Sequence, residues 1–279
     1  MKIFKQGVFE GERALYNIRG AKISDSVFQN GESPLKECDG IELFSSIFKW
    51  KYPLWYSKNI SVDSCVLLET ARSGIWYTEN IELKNTVIEA PKTFRRSSGI
   101  TLTSCSMPNA LESFWSCSDI KITNLSARGD YMFMNSCGVV AENLTLDGNY
   151  AFDGARDVVV RNSKLISKDA FWNTENVTVY DSVIIGEYLG WNSKNVRFVN
   201  CTIESNQGLC YMENLELVNC KLINTDLAFE LSSVSADVKS SIISVKNPIS
   251  GKIHAEKIGE IILDENMIDP EKTEITTDL

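Results

Sequence analysis

Three stretches decide the fold: Asn176-Val-Thr-Val-Tyr-Asp-Ser-Val-Ile184, Asn195-Val-Arg-Phe-Val-Asn-Cys-Thr-Ile203 and Asn214-Leu-Glu-Leu-Val-Asn-Cys-Lys-Leu222. Each opens on Asn, alternates apolar and polar residues, and returns to Asn or Asp before a small residue. Taking the apolar residue that opens each unit, the register runs Ala21, Ile41, Ile60, Ile81, Ile100, Ile120, Val139, Val158, Val177, Val196, Leu215, Val234 and Ile253. Successive gaps are 20, 19, 21, 19 and 20, followed by seven of 19. A fixed period of this length marks a solenoid, in which a single coil cannot bury its own apolar face and must stack on its neighbours.

Within a coil, the opening residue and the one two places on are apolar, with polar residues between them. That period of two is a short strand with one face in and one face out. Gly, Asn or Asp precedes the opening, as at Gly40, Asn59 and Asn176, and Asp or Asn follows four residues after it, as at Asp25, Asn85 and Asn200. These residues tolerate a left-handed backbone, so a bend is expected at each end of the strand. The expected fold is all-β: a right-handed parallel β-helix of about 13 coils. Handedness follows from the absence of the six-residue sub-repeat and three equal sides of left-handed forms. The chain reads as one domain over 1–279, with a cap at 1–17, coils over 18–259 and a cap or tail at 260–279.

Composition narrows the function classes. Lys and Arg number 28 against 37 Asp and Glu, a net charge of -9, which disfavours a nucleic-acid partner. No apolar run is long enough to cross a bilayer, and the first residues do not read as a signal peptide, so no membrane role and a cytoplasmic location are expected. Cys65, Cys105, Cys201 and Cys220 sit five residues after an opening, where other coils carry Ser26, Ser46, Thr86, Ser163 and Ser182. Cys38 and Cys117 share a second address with Ser57, Thr78, Ser97, Ser136 and Ser193. Exchange of this kind describes small buried side chains rather than a disulfide framework. With no CxxC spacing and His254 as the lone histidine, no metal and no cofactor are expected.

Six residues before each opening runs an apolar column containing Leu35, Leu54, Ile75, Phe94, Phe114, Phe133, Phe152 and Phe171, expected inside. The next address holds Tyr16, Lys36, Trp55, Trp76, Arg95, Trp115, Met134, Asp153, Trp172, Trp191, Cys210 and Phe229. Isolated buried charges are costly, so a column with Lys36, Arg95 and Asp153 must reach solvent and take its tryptophans with it. Trp50 alone of the six tryptophans lies elsewhere. Coils separated by about 4.8 Å would place Trp55 beside Trp76 and Trp172 beside Trp191, with Trp115 between the pairs. Flat indoles suit the C–H faces of sugars, and Tyr150, Tyr188, Asn173, Asn192 and Arg95 flank them. The alternative is that the stripe packs against the chain's own arms, a partner or a second copy.

For hydrolysis, two carboxylates must flank one bond. Asp169 and Glu187 lie one coil and one residue apart, so their backbones should sit about 6 Å apart. They are the candidate acid and base, with Asp153 assisting from about three residues along the strand, about 11 Å away diagonally. The competing reading is plain: Lys168 stacks under Glu187 and would pair with it. A polysaccharide lyase would need a base near a cation site, and Arg95 lies three coils from Asp153, about 14 Å away. No GxSxG or phosphate-binding loop occurs. Two classes therefore stand: a carbohydrate-active protein, binding and cleaving an oligosaccharide as a glycoside hydrolase or polysaccharide lyase, and a non-catalytic scaffold that uses the stripe for a partner or self-assembly.

Between the strands run Trp50-Lys-Tyr-Pro-Leu-Trp-Tyr56, Ala90-Pro-Lys-Thr-Phe-Arg-Arg96, Gly148-Asn-Tyr-Ala-Phe-Asp-Gly154, Ser167-Lys-Asp-Ala-Phe-Trp-Asn173 and Gly186-Glu-Tyr-Leu-Gly-Trp-Asn192. Over nearly the whole chain these segments resemble a bacterial right-handed β-helix family filed as a domain of unknown function in the pectin-lyase-like group. The resemblance implies the fold. It carries over no catalytic residue, because the paired aspartates, Gly-His-Gly and Arg-x-Lys of polygalacturonases are missing, as are pectate-lyase motifs.

Overall fold

The computed structural model describes residues 1–278 and is a parallel β-solenoid of about 15 turns. The chain divides into two compact units, Met1–Thr145 and Leu146–Leu279. In the first, strands Arg19–Ser24, Asp39–Phe44, Lys58–Asp63, Glu79–Lys84, Ser98–Met107 and Ser118–Arg128 pair in parallel. Their register matches the openings read from sequence: Ala21 faces Ile41, then Ile60, Ile81, Ile100 and Ile120. In the second, Val158, Val177, Val196, Leu215 and Val234 align in the same way.

Two rungs lie beyond the thirteen openings. Lys2–Lys5 pairs with Arg19–Ser24, and Thr273–Thr277 pairs with Ser250–Ile262. The register also slips near the end, because Val234 faces Gly251 while Ile253 faces Ala236. The slip is two residues, which preserves the strand's alternation, so Ile253 is buried in either register.

The bends explain why the period is so strict. Asn59, Asn80, Asn176, Asn195 and Asn214 all have φ between 54° and 59°. Their amides form ladders in which each Nδ2–H donates to the residue one coil below: Asn195 to Asn176 at 3.0 Å and Asn214 to Asn195 at 2.8 Å. The Ser, Thr and Cys addresses have an equally concrete role. Just past a bend a backbone N–H points inward, and the small side chain one coil up accepts from it. Ser26 N–H donates to Ser46 Oγ at 3.2 Å, Ser46 N–H to Cys65 Sγ at 3.4 Å, and Cys65 N–H to Thr86 Oγ1 at 3.3 Å. The second address repeats the device, with Thr78 N–H donating to Ser97 Oγ at 3.1 Å. A buried N–H demands a partner, and hydroxyl or thiol serves alike. Seven of the eight cysteines are buried and none of those seven forms a disulfide, while Cys137 is exposed.

The column six before the openings is interior, with Leu35, Leu54, Ile75, Phe94, Phe114, Phe133, Phe152 and Phe171 all fully buried. Phe94 stacks on Phe114 at 4.5 Å in the first unit and Phe152 on Phe171 at 5.4 Å in the second. Each stripe residue that follows lies between two left-handed bends. Trp55 lies between Tyr52 (φ 61°) and Tyr56 (φ 55°), and Trp191 between Tyr188 (φ 51°) and Asn192 (φ 58°). That tight corner leaves the stripe tryptophans, Lys36, Arg95 and Asp153 half-buried. The expectation that the whole column reaches solvent fails at its last two members, Cys210 and Phe229, which have no charge to keep wet and are fully buried. Gly186, which enters one such corner at φ 159°, has no room for a Cβ, which would sit 2.0 Å from the Ser167 carbonyl oxygen.

Candidate functional site

The stripe tryptophans are half-buried, as are Lys36, Arg95 and Asp153. In the first unit they form a closed stack. Trp55 and Trp76 lie 5.2 Å apart at 8°, and the Arg95 guanidinium sits 4.5 Å from the Trp76 ring centre and 4.6 Å from that of Trp115. Both faces of the guanidinium are covered by indole, an arrangement favoured by charge and by dispersion. Each indole N–H donates to the carbonyl of the bend residue in the next coil: Trp55 to Ser73 at 2.6 Å, Trp76 to Lys92 at 2.9 Å and Trp115 to Tyr131 at 2.7 Å. Glu112 accepts from Lys92 at 2.9 Å and lies 3.6 Å from Arg95. Ring faces and ring nitrogens are thus occupied by neighbours, and this stretch of the stripe presents edges.

The second unit departs from that rule. Trp172 and Trp191 meet edge to face, 6.3 Å apart at 73°. Trp191 also meets Tyr188 at 66° and Tyr211 at 61°, while Tyr150 stacks on Trp172 at 5.7 Å. The cause lies in the coils around Trp191. The next stripe residue is Cys210, which is buried and offers no ring to stack on. Gly190 replaces the interior Leu or Phe, and the Met212 thioether fills the space, close enough that a Cβ on Gly190 would lie 2.5 Å from its methyl. Trp191 tilts toward Tyr211, and its buried Nε1–H has no acceptor. A buried donor without a partner is costly and uncommon.

Beside these rings lies Asp169, a bend residue with φ 53° that is 3% exposed. Burial raises its pKa above the ordinary carboxylate value. Lys168 and a hydrogen bond from Tyr150 oppose that rise, and the Glu187 and Asp153 carboxylates add to it. The Asp169 backbone N–H donates to the Glu187 carbonyl at 2.9 Å, which fixes the two corners one above the other. Glu187 itself is exposed and lies 3.9 Å from Lys168, the pairing that the stacking of the two residues predicts. Asp153 Oδ1 accepts from Asn173 at 3.0 Å, and Asn173 Oδ1 accepts from Asn192 at 2.7 Å. The candidate residues of this unit therefore form one patch, in which Asp169 keeps its proton to higher pH than a solvated carboxyl group.

A pocket of 200 Å³ adjoins the patch, lined by Asn173, Asn192 and Tyr211 together with the ion pairs Arg156–Glu175 and Lys194–Glu213. Tyr211 belongs to the patch although its stripe neighbour is Cys210. The four charged residues stand two before successive openings and alternate in sign from coil to coil. That alternation is visible in the sequence, but individually they read as solvated strand residues. Among the described residues no three His, Cys, Asp or Glu side chains converge as a metal site, and no helix is long and apolar enough to cross a membrane.

A family model described as "Protein of unknown function (DUF3737)" matches residues 2–276. No protein among curated sequences matches the chain. Similar solved structures include PfbA, a surface adhesin of Streptococcus pneumoniae, at 12% identity, covering 86% of this chain and 76% of that one, with a TM-score of 0.38. An exopolygalacturonase from Thermotoga maritima matches at 9% identity, 94% and 84% coverage and a TM-score of 0.35. The A-module of the Azotobacter vinelandii mannuronan C-5 epimerase AlgE4 matches at 8% identity, 98% and 86% coverage and a TM-score of 0.30.

Proposed function

This chain belongs to the DUF3737 family of proteins of unknown function, and we propose that its second unit binds an oligosaccharide across Trp172, Trp191, Tyr150, Tyr188 and Tyr211. The observation that carries this reading is the buried, acceptorless indole N–H of Trp191 amid rings that have abandoned face-to-face stacking. In the first unit the indole N–H groups of Trp55, Trp76 and Trp115 all donate to backbone carbonyls, and the buried donor left without an acceptor there is Arg95 Nε, sandwiched between two indoles. A stacking rule kept by the tryptophans of the first unit and broken at Trp191 is the kind of local departure that marks a ligand site. A sugar ring would lie against the aromatic rings, while Asn173 and Asn192 offer donors and acceptors in the adjoining pocket and Asp153 accepts beside them.

Cleavage is the finer proposal. Asp169 would donate its proton to the glycosidic oxygen, the role for which a buried carboxyl group with a raised pKa is suited, and Glu187 or Asp153 would act from the other side. We also propose a reducing, cytoplasmic compartment, because cysteine exchanges with serine and threonine at buried addresses.

The test is a panel of neutral and acidic oligosaccharides, read for binding by calorimetry and for cleavage by product analysis. At least one should bind, and Trp191→Ala should weaken it about tenfold or more, as for a central aromatic contact. Asp169→Asn should retain binding; lost turnover would assign the acid, and unchanged turnover would remove the catalytic role. A chain that binds no glycan, but self-associates through Trp172 and Trp191, is the scaffold instead.

A further inference from the structure

Trp50 is the one tryptophan outside the stripe, and it lies where the repeat is most irregular. The gap from Ile60 to Ile81 is 21 residues, the longest in the chain. The longest coil contains a single 3-10 turn, Glu69–Ala71, whose Ala71 packs inside while Glu69 and Thr70 face solvent. Insertions in a solenoid leave the stacked core intact and build on its surface. Here the turn walls a pocket of 370 Å³ whose other sides come from neighbouring coils, so that Trp50, Lys51, Glu69, Thr70, Arg72 and Pro91 line it.

The charges in this pocket are unevenly committed. Lys51 lies 3.3 Å from Glu32 and sits over the Trp50 ring at 5.3 Å, so it is engaged on both counts. Thr70 Oγ1 donates to the Lys49 carbonyl at 2.6 Å, leaving its lone pairs to accept. Among the described residues no carboxylate forms an ion pair with Arg72, whose side chain is exposed at the pocket wall. One uncommitted guanidinium fork is matched by one carboxylate held through two parallel hydrogen bonds. An indole and a proline ring suit a flat ring body, while Glu69 and Thr70 offer acceptors for hydroxyl groups.

We infer that this pocket is a second ligand site, for a hydroxylated ring that carries one carboxylate. A sugar acid and an aromatic hydroxy acid share that chemistry. The site is independent of the oligosaccharide reading, since all its residues lie in the first unit.

Calorimetry on the full chain with glucuronate, para-hydroxybenzoate, glucose, acetate and inorganic phosphate tests it. One of the two ring acids should bind, with glucose and acetate at least about tenfold weaker. Arg72→Gln should weaken binding about tenfold or more, the size of a charge-assisted hydrogen bond, and Arg72→Lys less than that because the fork is lost but the charge stays. Trp50→Leu should also weaken it, whereas Trp191→Ala should leave it unchanged. Because Arg72 is exposed, its variants are expected to fold. Sugar-acid binding with no response to para-hydroxybenzoate assigns the first source, and the reverse assigns the second. The inference fails if neither ring acid binds, if acetate or phosphate binds as tightly as a ring acid, or if affinity survives Arg72→Gln.

Discussion

Trp76 and Trp191 occupy one address in their respective coils, yet one donates its N–H to a carbonyl and the other to nothing. The sequence puts both on the stripe, because a shared address follows from counting. It does not show the tilt, which depends on Gly190, Met212 and Cys210 acting together on one ring. Asp169 was legible as a candidate acid from register alone, and its burial was not, since Asp elsewhere at bends is solvated. The sign of its effect can be checked. A carboxyl group whose pKa is higher in the folded than the unfolded chain takes up a proton on folding, so its contribution to stability falls as pH rises through and above the ordinary value of 3.8. Asp169→Asn should therefore gain stability relative to the parent as pH rises toward neutrality, and show no advantage in strong acid. Denaturant unfolding across pH measures this; a variant that is less stable at neutral pH by a margin independent of pH would contradict it. Thiols give a second residue-scale prediction. Burial pushes Cys38, Cys65 and Cys210 up to about 11 and Cys117 up to about 12. Iodoacetamide on the native chain at neutral pH should label Cys137, with the other seven reacting only on unfolding. Prompt native labelling of Cys65 or Cys117 would show that the interior is open.

The hydroxyl and thiol addresses belong to the scale of the strand and its bend. Exchange of Ser, Thr and Cys at one position was readable as burial. The reason for it, an inward N–H just past each bend, needed the hydrogen bonds. Cys65→Ser should be nearly neutral in urea unfolding, since Ser46 N–H keeps an acceptor, whereas Cys65→Ala should cost about 1–3 kcal/mol by orphaning it. Equal effects of the two would refute the role assigned to the side chain. The indole–guanidinium stack makes an analogous claim about coupling. A double-mutant cycle on Trp76 and Arg95 should return about 1 kcal/mol of favourable interaction, between the values for exposed and desolvated cation–π pairs. A coupling of zero would mean that the stack is geometry without energy.

Over the whole chain, the nineteen-residue period carried most of the fold, because every coil repeats the same bends and interior column. Its blind spots were physical. A two-residue slip at Gly251 is invisible to an alternation of period two, and the rung Lys2–Lys5 bends at Gln6 (φ 55°), where the others announce themselves with Asn, Asp or Gly. Lys2–Lys5 and Thr273–Thr277 each pair along one side among the described residues, so hydrogen exchange should be fastest there within each unit and slowest in central rungs such as Glu79–Lys84 and Lys194–Val199. Uniform protection would contradict nearest-neighbour stabilisation. The site was legible only as a stripe. Which rings stack face to face and which meet edge to face depends on ring orientation, and periodicity does not encode that. The most direct measurement is a calorimetric titration of the best oligosaccharide from the panel into the parent, Trp191→Ala and Trp76→Ala, each first confirmed to be folded. Affinity should drop about tenfold or more in Trp191→Ala and stay near the parent value in Trp76→Ala, whose ring faces are already occupied. Parent-like affinity in Trp191→Ala, with loss in Trp76→Ala, would contradict the assignment of the site to the second unit.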